Sequence, residues 1–231
     1  MARPAQLFAT CLGDLVFPEA VADATVLLER AGFEVAFPPG QVCCGQPAFN
    51  AGHRAAARRV ARTLDRSFSR DAPVVAPSGS CVAMVAHHLP DLVGCAPLPI
   101  VELSAFLAER EAPLEPVNEG RTLAYHDSCH MLRELGISDA PRALLERTGA
   151  TLVPLPRPDL CCGFGGTFSV RQPEFSVAMA DEKLAGAAAV DALVTADPGC
   201  LMHLRARAER TGGPPLVHLA TALARGVRPS G

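Results

Sequence analysis

Nine cysteines stand in this chain of 231 residues, and eight of them form two matching sets. Cys11, Cys43 and Cys44 recur 118 residues later as Cys129, Cys161 and Cys162, and Cys81 recurs 119 residues later as Cys200. Each set holds an adjacent pair followed by a glycine, Gly45 or Gly163. Neighbouring Cα atoms lie about 3.8 Å apart, whereas an unstrained disulfide wants roughly 4.4–6.8 Å, so the pairs are poor candidates for bridging each other. A turn relaxed by the glycine lets both thiols face one centre. Two ligands in one compact turn suit a multi-iron cluster, which takes four thiolates; a single zinc ion more often uses C-x2–4-C knuckles. The expectation is therefore one cluster-binding quartet per half: Cys11, Cys43, Cys44 and Cys81, then Cys129, Cys161, Cys162 and Cys200. The ninth thiol, Cys95, has no counterpart and reads as a packing residue.

Positioning four distant thiols requires a framework, and the sequence duplicates one. "LLERAGFEV" from Leu27 matches "LLERTGATL" from Leu144, and "PIVELSAFLA" from Pro99 matches "PLVHLATALA" from Pro215. The period is domain-sized, which argues for two copies of a domain rather than a solenoid. Residues 1–112 and 121–231 are expected as the two domains, joined through the Pro-rich "REAPLEPVNEG" of residues 110–120. Strands are expected over 6–9, 33–37 and 73–76, and helices over 18–31, 52–69, 81–88 and 103–109. In the second half strands are expected over 122–126, 151–154 and 192–195, and helices over 138–148, 173–189, 200–210 and 216–224. Strand alternating with helix implies parallel βαβ units. The fold class is α/β: two duplicated Rossmann-like domains with parallel sheets, related by a pseudo-twofold. Each cysteine position follows a strand, and in a parallel sheet those loops share the carboxyl edge, where open α/β sheets bind ligands.

Composition excludes several functions. A formal charge of −3 offers no basis for binding nucleic acid. The most apolar window, "VAMVAHHLPDLVGCAPLPIV", is broken by histidines, an aspartate and prolines, so no membrane span is expected. The first residues, "MARPAQLFATCLGD", lack a signal-peptide pattern, and so many thiols then suit metal or redox chemistry in a reducing cytoplasm.

The two CCG motifs, "SGSC" at Ser78–Cys81 and "HDSCHMLRELG" from His126 resemble the cysteine-rich CCG-domain family, the heterodisulfide reductase-like iron–sulfur proteins. The resemblance covers essentially the whole chain. It implies one or two iron–sulfur clusters, [4Fe–4S] in type, held by the eight cysteines. It also implies electron transfer with partner iron–sulfur proteins of a lactate-utilization complex that oxidises L-lactate, a small 2-hydroxy acid, to pyruvate. One departure matters. In the heterodisulfide reductase subunit each motif ends C-x-x-C, and here Ser78 and Asp197 stand where the extra cysteine would be. Losing that thiolate favours an ordinary four-thiolate cluster over heterodisulfide cleavage, with Ser78 or Asp197 as a remote oxygen-ligand alternative. Two other readings stay open: a zinc ion in one half stabilising an assembly module, and a thiol–disulfide reductase acting through a cysteine pair.

Other residues carry weaker signals. His126 and His130 bracket Cys129 and could tune a cluster or move a proton, or His126 could end a strand while Asp127 caps the next turn. Arg133, one helical turn beyond Cys129, could neutralise an anionic cluster or sit on the surface. "CCGFGGTFS" fails the G-x-G-x-x-G nucleotide fingerprint at Phe168. Arg54, Arg58, Arg62, Arg66 and Arg70 recur every four residues and read as a solvated helix face. His53, His87, His88, His203 and His218 form no recognisable zinc spacing.

Overall fold

The computed structural model describes residues 3–227. The first half runs β1 (Arg3–Leu7), α1 (Cys11–Val16), α2 (Pro18–Arg30), β2 (Phe33–Ala36), α3 (Gln46–Asn50), α4 (Arg54–Ser67), β3 (Val74–Ala76), α5 (Gly79–Ala83), a π-helical turn (Met84–His88), α6 (Leu89–Val93), β4 (Ile100–Glu102) and α7 (Leu103–Glu109). The second runs β5 (Thr122–Tyr125), α8 (Cys129–Arg133), α9 (Asp139–Arg147), β6 (Thr151–Leu152), α10 (Thr167–Arg171), α11 (Pro173–Ala185), β7 (Ala192–Thr195), α12 (Pro198–Thr211), β8 (Leu216–His218) and α13 (Leu219–Arg225). Each half holds one all-parallel four-stranded sheet, ordered β2-β1-β3-β4 and β6-β5-β7-β8.

The central strands are buried on both faces, as parallel strands under helices must be. Along β3, Val74 and Ala76 join an outer core while Val75 joins the inner one; along β7, Leu193 faces outward and Ala192 and Val194 inward. The inner core is shared by the halves. It packs Leu27 and Leu28 of α2 and Phe106 and Leu107 of α7 with Leu144 and Leu145 of α9 and Leu223 of α13. Helix α2 meets α13 and α7 meets α9, while α1 meets α12 and α5 meets α8. Each pair of contacts exchanges equivalent helices, which is the signature of a pseudo-twofold. Phe17 crosses into the second half's outer core and its counterpart Leu135 crosses into the first's.

Four expectations are corrected. Each sheet has a fourth strand, β4 and β8, that three residues of apolar pattern could not announce; the helix expected over 216–224 is split into β8 and α13. The turn from strand to helix there is set by buried caps: Glu102 Oε2 accepts from the N–H groups of Ser104 and Ala105, and His218 Nδ1 accepts from Ala220 N–H. The helix expected over 81–88 is interrupted by the π turn and restarts at α6. Helix α11 ends at Ala185, short of the expected residue 189. The junction of residues 110–120 is packed against the second half. Ala112 is buried, and buried Asn118 donates to Thr148 Oγ1 and the Ala222 carbonyl, each at 2.8 Å.

Candidate metal centre

Both sheets present the ends of their strands to one another. Strand order reverses between β1 and β3 and between β5 and β7, so the loops after these strands part at a switch point and leave a crevice. The thiols lie there. Cys11 and Cys81 open α1 and α5 after β1 and β3, and Cys129 and Cys200 occupy the same places after β5 and β7. The pairs arrive from the loops after β2 and β6. All eight cysteines line a single cavity of about 360 Å³ between the halves, together with Gln46, Ser80, His130 and Val170.

The turns after the pairs explain their glycines. Gly45 and Gly163 have φ of 88° and 90°, a left-handed conformation that side chains resist. A Cβ on Gly163 would also lie 2.4 Å from the Ser176 carbonyl oxygen. In this turn Gly45 N–H and Gly163 N–H each point at the first thiol of the pair, Cys43 or Cys161, at 3.4 Å.

Within each quartet the thiols touch in sequence. Cys11 Sγ donates to Cys43 Sγ at 3.5 Å, and Cys162 Sγ donates to Cys200 Sγ at 3.2 Å. Hydrogen bonds from Cys11 and Cys44 hold the Cys43 thiol well below its usual range, and those from Cys129 and Cys162 do the same for Cys161. Their donors are pushed up in turn. Each quartet thus carries one thiol, Cys43 or Cys161, that its neighbours' hydrogen bonds favour as the thiolate.

The residues at the missing-cysteine positions are already committed. Ser78 Oγ accepts from Cys81 N–H and caps α5. Asp197 Oδ1 accepts from Gly199 N–H and caps α12, while its Oδ2 accepts from Ser80 N–H of the other half at 2.8 Å. These groups orient the cysteine-bearing helices and bind the halves together.

The histidines separate clearly. His126 is fully buried and its N–H donates to the Val194 carbonyl, extending β5 by one residue. Neither ring nitrogen has a hydrogen-bond partner, and one lies within 4.8 Å of the sulfurs of both Cys162 and Cys200. Burial, reinforced by the charge of Lys183, pushes this imidazole down to about 3, so it stands neutral. An orphaned buried polar group of this kind costs about 1–3 kcal/mol. His130 lines the cavity and meets Gln46 Nε2 of the first half at 3.4 Å. Arg133 is exposed and donates to the Asp159 carbonyl, away from the cavity. Of the alternative offered for this stretch, His126 does end the strand but Asp127 is not the cap: Ser128 caps α8, and Asp127 accepts a two-pronged bond from Arg142 at 2.8 and 2.6 Å.

Cys95 lies outside the cavity and faces Asp65. The arginines of α4 are exposed, as expected. His203 meets Ser176 Oγ, and His218 meets the Pro77 carbonyl across the halves at 3.1 Å, both structural uses. One residue that reads from sequence as mere compositional bias has a definite place in the structure. Lys183, the chain's lone lysine, is buried and donates to the Arg157 and Pro158 carbonyls beside the second quartet. Its rarity in a chain otherwise using arginine was the available signal.

The model of the cysteine-rich CCG domain matches residues 5–86 and again 123–205. The chain belongs to the cysteine-rich CCG-domain family. It is 42% identical over 232 residues to lactate utilization protein A of Halalkalibacterium halodurans, covering 94% of this chain and 95% of that protein. The Geobacillus kaustophilus protein of the same name is 43% identical over 235 residues, at 94% and 97% coverage. Among solved structures, Bacillus anthracis glutamate racemase isoform RacE1 aligns over 96% of this chain and 79% of its own. Its TM-score of 0.39 and 10% identity are too distant to bear on function. Among the described residues no helix is long and apolar enough to cross a membrane.

Proposed function

We propose that the chain is an iron–sulfur electron-transfer protein of a lactate-utilization system. On this reading Cys11, Cys43, Cys44 and Cys81 hold one cluster and Cys129, Cys161, Cys162 and Cys200 hold the other, each of the [4Fe–4S] type. The observation that carries it is the convergence of two thiol quartets on one cavity. The donor set fits the group: every quartet is all-thiolate, and the nearest carboxylate, Asp197, is spent on backbone N–H groups. Bound clusters would supply one-electron chemistry. The protein's own part is to present the thiolates, exclude competing oxygen donors and bring two centres to one crevice, so that electrons can pass between them and onward to partner iron–sulfur proteins. Lactate enters through the names of the relatives, and its oxidation belongs to the partnered system.

One observation favours a second reading. The Sγ separations of 3.5 and 3.2 Å come close to the edge of a tetrahedron, roughly 3.8 Å, around a single ion with Zn–S bonds of about 2.3 Å. Zinc in one half, serving assembly, is the alternative that this spacing supports.

Cysteine substitution under anaerobic purification tests the assignment. Cys161→Ser should remove about half of the bound iron and sulfide, and Cys95→Ser should leave both unchanged. Equal losses from the two variants would defeat the assignment of the quartets.

A further inference from the structure

We propose that His126 is a direct nitrogen ligand of the second-half metal centre, taking the place of one of that quartet's four thiols, so that the two centres are chemically unequal: one all-sulfur, the other sulfur and imidazole. This deepens, and rests on, the reading that the quartets hold metal.

The repeat supplies the control within the molecule. His126 and Phe8 occupy equivalent places, each the residue after the first strand of its sheet. Phe8 N–H donates to the Val75 carbonyl at 2.9 Å, and His126 N–H donates to the Val194 carbonyl at 2.8 Å. Phe8 is 1% exposed and packs in one cluster with Cys44 and Cys81. The fold is therefore satisfied by an apolar ring at this position. His126 is 0% exposed, and neither of its nitrogens has a partner. Buried polar groups left without partners call for a specific explanation, and an ion is one. Here the geometry names where the ion would be. One ring nitrogen and the sulfurs of Cys162 and Cys200 lie within 4.8 Å of one another, close enough to share a metal. Neutral imidazole carries one unprotonated nitrogen with a free lone pair, and it is an accepted ligand of both iron and zinc. In the first half no nitrogen donor stands in that place.

The same asymmetry extends one layer outward. Buried positions Ala57, Ala61 and Leu64 of α4 correspond to Ser176, Ala180 and Lys183 of α11. The second quartet thus has a buried lysine where the first has a leucine. A centre with an imidazole among its ligands carries less negative charge than an all-thiolate twin, which raises its reduction potential relative to the first.

The test uses the full chain purified without oxygen, its iron, sulfide and zinc measured on the same sample. If iron and sulfide are present, pulsed electron paramagnetic resonance of the reduced protein is recorded with natural and with 15N-labelled histidine. The proposal expects a strongly coupled histidine nitrogen that changes frequency with the label, disappears in His126→Phe and survives in His130→Ala. If zinc is present without sulfide, X-ray absorption at the zinc edge should show a nitrogen neighbour at about 2.0–2.1 Å that the same His126→Phe variant loses. Phenylalanine is the residue the fold already accepts at the equivalent site, and the label needs no variant at all. A coupling that is absent, that ignores the label, or that follows His130 overturns the ligand role while the metal content still supports the reading above. A protein without metal overturns both.

Discussion

At the level of single residues, the site is governed by what each polar atom has left to offer. Asp197 and Ser78 occupy the positions of greatest chemical interest in the motif, yet their oxygens are consumed as helix caps, while all eight sulfurs of the quartets line the cavity. Glu102 illustrates the same accounting away from the site. It is buried, and one carboxyl oxygen has no partner; burial pushes its carboxyl from 4.5 up to about 7 against the hydrogen bonds from Ser104 and Ala105. A raised carboxyl favours the protonated form in the fold, so the native state binds more protons than the unfolded chain between pH 4.5 and 7. Its stabilising contribution is full below pH 4.5 and is lost as pH rises through 7. Relative to Glu102→Gln, the wild-type protein should lose about 3 kcal/mol over that window in urea titrations at several pH values. A wild-type minus variant difference that stays flat with pH would remove the assignment. The cysteine quartets were legible from the repeat, because spacing is written in the chain. The orientation of His126 was not, since whether a strand-end ring points at sulfur or at solvent depends on packing from β7 and α12.

At the level of elements, the alternation of short apolar runs with amphipathic stretches was enough to place six strands and the parallel sheets. The missed strands, β4 and β8, are three residues long and pass into α7 and α13 with no loop between. Only the buried caps Glu102 and His218 mark the change, and a cap is visible in sequence only once the strand before it is known. The turns that carry the cysteine pairs differ in how much room they leave. Gly45 has its nearest obstacle, the Ala57 carbonyl oxygen, at 3.5 Å from a built Cβ, whereas Gly163 meets the Ser176 carbonyl oxygen at 2.4 Å. Gly45→Ala should cost about 1–2 kcal/mol from the left-handed backbone alone. Gly163→Ala adds the displacement of α11 and should cost about 2–5 kcal/mol. Denaturant midpoints of the two metal-free variants decide this, and a Gly45 variant as unstable as the Gly163 one would contradict it.

At the level of the whole molecule, duplication has produced one body rather than two beads. The inner core draws leucines from α2, α7, α9 and α13 together, and Asp23 of α2 pairs with Arg225 of α13 across the same seam. Residues 3–112 expressed alone would expose Leu27, Leu28, Phe106 and Leu107. Such a fragment should self-associate or remain unfolded by size-exclusion chromatography and circular dichroism; a stable monomer would show the halves to be independent. The sequence revealed the two copies but not that their quartets face one cavity, because the seam is built from helices whose inward faces look like any other core. That shared cavity is the centre of the functional account, and metal analysis of the intact chain tests it most directly. Purified without oxygen, the protein should be brown, with about four to eight irons per chain and matching acid-labile sulfide. A colourless protein with one or two zinc ions and no sulfide would contradict the electron-transfer account.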